Sequence, residues 1–120
     1  MHTLAQILVG FVALQHFFFL VLEMFLWQQP LGRKIFRMTA ERAELTAPLA
    51  KNQGIYNGFL AAGLAWSLLA GNPVEASHLQ YFFLGCVVVA ALVGAATVSV
   101  RILIVQGLPA ALGLVALALR

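Results

Sequence analysis

The sequence predicts an all-α, polytopic membrane protein: a four-transmembrane-helix bundle with a short cytoplasmic loop helix. Three observations carry this. Of 120 residues, 62% are hydrophobic and only 9% charged, whereas a soluble domain carries about 25% charged residues. Mean hydropathy is +0.96. The apolar residues fall into runs that reach about 20 residues, the length that crosses roughly 30 Å of hydrocarbon at 1.5 Å per residue. The basic residues gather in one inter-run segment, as loop charges do in a membrane protein.

The chain has room for one domain, a single transmembrane unit over residues 1–120 with helices at about 4–27, 49–70, 79–98 and 101–119. The first run, Leu4 to Trp27, is broken only by Gln6, Gln15, His16 and Glu23. It lacks a basic start and a small-residue cleavage site, so it reads as a retained helix rather than a leader. In the second, Thr46-Ala47-Pro48 resembles a helix start, with Pro in the first turn. Gly71-Asn72-Pro73 ends it. The third run opens near Leu79 to Tyr81. Between the third and fourth only Ser99-Val100-Arg101 intervenes, which predicts a tight hairpin at Arg101. Pro109, inside the fourth, removes the bond to the carbonyl of Val105 and predicts a kink.

Charge sets the expected orientation. The segment from Gln28 to Asn52 holds Arg33, Lys34, Arg37, Arg42 and Lys51, while Gly71 to Gln80 holds no Lys or Arg. By the positive-inside rule residues 28–52 are cytoplasmic and both termini lie outside, in what is expected to be an inner (plasma) membrane. Arg101 then returns to the cytoplasmic face. Trp27 at one edge, with Trp66 and Tyr81 at the other, forms the aromatic belts. Within the first loop, Lys34 to Leu45 is expected as a short helix, with Ile35, Phe36 and Met38 on the membrane and Arg37, Glu41 and Glu44 in water.

Basic residues explained by topology leave no reason to expect nucleic acid as a partner. Cys86 is the one cysteine, so neither an intrachain disulfide nor a Cys-rich metal site can form. No metal and no cofactor are expected. There is no Walker-type glycine loop, nucleophile elbow or His-Glu zinc motif.

The functional reading begins with ionisable groups placed in hydrocarbon, where they face a partner, a cavity or a path. Glu23 lies about four residues before Trp27, roughly 6 Å inside the boundary. Antiparallel threading brings Gln53, Tyr56 and Asn57 to that depth, and also Thr97 and Gln106, with Arg101 at the turn able to reach back. Gln53 and Asn57 are four apart and share a helix face. A polar cluster of Glu23, Gln53, Asn57 and Gln106 is therefore expected, with Tyr56 or Arg101 at its edge. His16, two turns from Glu23, could relay protons toward it, ligate a metal or haem if an oligomer supplied a second histidine, or donate a hydrogen bond between helices. Gly54, Gly58 and Ala62 recur every four residues, and Ala90 and Gly94 repeat the spacing, which lets helix backbones approach closely.

Three stretches together resemble a known family. They are Leu14-Gln15-His16 with Leu22-Glu23-Met24-Phe25-Leu26-Trp27; Asn52 through Leu64, including Asn52-Gln53-Gly54-Ile55-Tyr56-Asn57-Gly58; and Gln106-Gly107-Leu108-Pro109-Ala110. They resemble the bacterial membrane-protein family called domain of unknown function 1304, over essentially the whole chain. The resemblance implies a compact protein of four transmembrane helices and supplies no mechanism. Its motif residues coincide with His16, Glu23, Gln53, Asn57 and Gln106.

Several functions stay open at this point. The first is a homo-oligomer that binds or transports a small lipophilic or cationic ligand through Glu23, loosely analogous to small multidrug transporters, which also have four helices with a glutamate in the first. The second is a membrane enzyme acting on a lipid-soluble substrate, with Glu23 or His16 as acid or base. The third is a structural network in which the amides only join helices.

Overall fold

The computed structural model describes residues 2–120, and those residues contain helices and turns with no strand. Helix α1 is His2–Met24, α2 is Pro30–Ile35 and α3 is Ala40–Leu69. Next come α4, Pro73–Thr97, and α5, Val100–Ile102. A π-helical turn at Leu103–Gly107 then leads into α6, Leu108–Leu119. Three stretches are long and apolar enough to cross a membrane: His2–Met24, Pro73–Thr97 and Val100–Leu119. Only 22–28% of the 18-residue apolar window in each is buried within the protein. Most of their Leu, Val and Phe side chains therefore face outward, which a bilayer accommodates and water does not. Helix α3 has the length but is diluted by Lys51, Asn52, Gln53, Tyr56 and Asn57.

The chain forms two compact units, residues 1–14 with 60–120 and residues 15–59. The first has a continuous apolar core. Ala5, Val9 and Val12 from α1, Leu64 from α3, Leu84 and Val87 from α4, and Ala110, Ala116 and Leu117 from α6 are essentially inaccessible. On α1 and α4 these residues are three and four apart, so each of those helices turns one stripe to the core. Gly63 packs against the ring of Phe83, in space that any larger side chain would fill.

Helix ends have local causes. Asn72 caps α4, its side-chain oxygen accepting from the backbone N–H of Val74 at 2.8 Å and of Glu75 at 3.2 Å, with Pro73 at the first turn. The third apolar helix thus begins well before Leu79. The turn that follows it is at Val98–Ser99 rather than at Arg101. Gly94 O accepts from Val98 N at 2.8 Å and Ser99 N at 3.0 Å, and Ser99 Oγ caps the next helix by accepting from Arg101 N at 3.2 Å. Ahead of Pro109 the backbone adopts the π-helical turn Leu103–Gly107. A proline has no N–H for the normal ladder, and a π turn is one way a helix absorbs that loss.

The loop helix expected over Lys34 to Leu45 does not form. Helix α2 stops at Ile35, and Arg37 takes φ +53°. Met38 N donates to Arg33 O at 2.9 Å and Arg37 N to Lys34 O at 3.4 Å. This is a Schellman stop with arginine in the position glycine usually holds. A new helix then starts at once, Thr39 Oγ1 accepting from Arg42 N at 3.1 Å. Pro48 accordingly lies inside α3 rather than at its first turn.

Candidate functional site

The unit of residues 15–59 is built around a close helix approach. A Cβ on Gly54 would lie 2.7 Å from Met24 Cγ and 3.2 Å from Glu23 Cβ, and one on Gly58 would lie 2.5 Å from Leu20 Cδ1. Glycine at both positions lets the backbones of α1 and α3 come together in antiparallel register. Asn57 is three residues beyond Gly54 and so lies on a neighbouring face of α3. Its short side chain then reaches α1, and Asn57 Nδ2 donates a hydrogen bond to Glu23 Oε1. Both residues are buried, Glu23 at 9% and Asn57 at 8% exposure.

One bond leaves much of the carboxyl group's capacity unused. A carboxylate offers about four lone-pair sites, and Asn57 occupies one of them. Glu23 forms no salt bridge with any described residue. The geometry therefore presents one fixed oxygen and one further oxygen for a proton, a cation or a donor group.

His16, two turns earlier on α1, is fully buried, with its ring edge-on to Phe19 at a centroid distance of 5.3 Å. At the other end of this unit, Trp27 Nε1 donates to Thr46 Oγ1 at 3.0 Å, and Thr46 Oγ1 donates to Arg42 O at 2.8 Å. Trp27 also stacks on Phe36 at 4.7 Å. Gly32 sits directly on the backbone carbonyl of Leu26, where no side chain would fit. The turn after α1 is therefore tightly packed, and its Trp27–Thr46 link joins two residues the sequence reading treats separately.

The other expected site residues are placed as follows. Gln53 and Tyr56 are exposed on α3, Tyr56 with its ring edge-on to Phe59. In the other unit, Arg101 is exposed at the start of α5 and Gln106 is half-buried within the π turn. Thr97 is exposed, with its hydroxyl bonded to Val93 O at 2.7 Å. No group of three or more His, Cys, Asp or Glu residues among the described ones could hold a metal.

The unit of residues 1–14 and 60–120 has a polar feature of its own. Gln6 and Gln80 exchange two amide bonds, Nε2 to Oε1 at 3.4 Å in one direction and 3.2 Å in the other. Gln80 is 1% exposed. From the sequence alone, Gln80 is expected at the end of a loop. The earlier start of α4 brings it into the helix and onto its buried face.

Three apolar helices of spanning length, with most of their apolar surface turned outward, define a multi-pass membrane protein as the class. Residues 10–118 match the model of the family described as a protein of unknown function (DUF1304). The chain belongs to this family. It is similar to an uncharacterized protein, YpaA, of Lactococcus lactis subsp. lactis (strain IL1403), with 32% identity over 118 residues that cover 96% of this chain and 97% of the relative. No solved structure matches it.

Proposed function

We propose that this protein is a four-span inner-membrane binding or transport protein whose ligand, a small lipophilic cation, is held at Glu23. The observation that carries the reading is the buried Glu23 carboxyl group, with one oxygen fixed by Asn57 and no basic partner among the described residues. Ionisable groups at membrane depth are costly and serve sites or pathways far more often than packing. A cation with an apolar body matches both the carboxylate and the hydrocarbon around it.

In this reading, the part of α3 from about residue 49 to Leu69 is the fourth span. Residues 28–52 are cytoplasmic and both termini outside, because the basic residues concentrate in 28–52 and are absent from 71–80. Residues 1–120 act as one transmembrane domain. Gln53 and Tyr56, polar and exposed on α3, are groups that a second copy would cover, which supports a homo-oligomer. His16, two turns from Glu23 on α1, is the candidate for a proton-linked role beside it, and Arg101 and Gln106 remain candidate ligand-binding or proton-linked residues in their own unit.

Equilibrium binding of tetraphenylphosphonium to the protein in phosphatidylcholine nanodiscs tests the reading. Saturable binding that falls at least tenfold in Glu23→Gln supports it. The specific alternative is a structural pin, favoured by the closed Asn57–Glu23 bond. Equal or absent binding in the two proteins, with a large loss of stability in Asn57→Leu, would establish that alternative. Topology is tested separately by labelling single cysteines at Lys34 and Ser77 in a Cys86→Ala background. If α3 crosses the membrane, the two label from opposite sides.

A further inference from the structure

The unit of residues 1–14 and 60–120 contains a cavity of about 470 Å³ at the ends of its helices, within the size range of small-molecule sites. His2, Gln6, Gln80 and Arg120 supply its polar lining, and Leu68, Pro73 and Ala76 its apolar wall. Among the described residues, no Asp or Glu lines it.

The hydrogen-bonding capacity here is predominantly donating. Each carboxamide has two N–H groups and two lone pairs, and the reciprocal Gln6–Gln80 pair uses one of each. One N–H and one lone pair per amide remain, held in place by the pair, so the surplus of donors comes from Arg120. Arg120 Nη2 donates to Ser77 Oγ at 2.9 Å, which anchors the guanidinium at the cavity. A guanidinium has five N–H donors in a planar fork, so the rest can engage a carboxylate in two parallel bonds. Ser67 Oγ is turned away, donating to Leu64 O at 2.6 Å. Fixed donors, a cationic fork, an apolar wall and no acidic residue together select a small anion with an apolar body.

We infer that this cavity binds a small organic carboxylate, its head on Arg120 and the Gln6–Gln80 amides and its hydrocarbon part against Leu68, Pro73 and Ala76. This site uses none of the residues assigned to Glu23, and it selects the opposite charge. The two readings stand or fall separately.

Saturation-transfer NMR with butyrate, and with butyramide as the uncharged isostere, tests the inference on the full chain in phosphatidylcholine nanodiscs. The expected result is saturable butyrate binding at least tenfold tighter than butyramide, and at least tenfold weaker in Arg120→Gln and in Gln80→Leu. Arg120 is exposed, so Arg120→Gln is a variant whose folding is not in question, and it decides the matter if Gln80→Leu fails to fold. Absence of saturable butyrate binding, equal affinity for the two probes, or unchanged affinity in Arg120→Gln would overturn the inference.

Discussion

The two units solve the same packing problem with different chemistry. Residues 1–14 and 60–120 bury an apolar cluster drawn from α1, α3, α4 and α6, and their internal polar pair, Gln6 with Gln80, is neutral and reciprocal. Residues 15–59 bury a histidine, a carboxyl group and an asparagine, and bring two helices together on glycines. Neutral amides that satisfy each other are ordinary glue between helices, worth about 0.6 kcal/mol on average. A carboxyl group with one neutral partner is a poor choice for glue. The contrast locates the chemically unusual part of the molecule in the smaller unit.

The largest effect is expected at the glycine contact. Gly54→Leu drives a side chain into Met24 and Glu23 and should cost about 3 kcal/mol or prevent folding. Gly85→Ala in the other unit meets nothing within 4 Å and should be neutral or stabilising by up to about 1 kcal/mol. Reversible unfolding in mixed micelles measures both, and similar costs would erase the distinction between the units.

Asn57→Leu comes next. It leaves the buried Glu23 oxygen without its partner and should cost about 2 kcal/mol, whereas Glu23→Gln keeps an acceptor for Asn57 and should cost under about 1 kcal/mol. The reverse order would mean that the charge, not the bond, holds the unit together.

Gln6 and Gln80 sharpen the other side. Gln6→Leu and Gln80→Leu should each cost about 1 kcal/mol, and the double variant less than their sum, because two apolar groups leave no orphaned amide. Strict additivity would show that the reciprocal bonds contribute nothing.

The smallest effect lies in the turn. Arg37→Gly relieves a left-handed backbone and should stabilise by up to about 1 kcal/mol. Destabilisation would mean that the Arg37 side chain contributes more than its backbone strain costs.

The apolar runs were legible because composition and length announce helices of spanning size before any contact is known. Glu23 and Asn57 were visible for a related reason, since a polar side chain in an apolar run stands out. Helix boundaries were harder. The stop at Arg37 carries no glycine, so the chain there reads as one loop helix, and Pro48 reads as a start although Thr39 already caps α3. The Gln6–Gln80 pair joins residues 74 apart, and spacing along a helix says nothing about partners on another. Trp27 with Thr46 escapes for the same reason.

The most direct test of the Glu23 site is to watch its carboxyl carbon. The chain has four acidic residues, all glutamates: Glu23, Glu41, Glu44 and Glu75. In protein labelled with 13C at the glutamate carboxyl, the Glu23 resonance is the one lost in Glu23→Gln. On titration with tetraphenylphosphonium that resonance should shift saturably while the other three stay fixed. A Glu23 resonance that does not move, or that moves no more than those of the exposed glutamates, would contradict a ligand site at Glu23 and leave its bond to Asn57 a structural one.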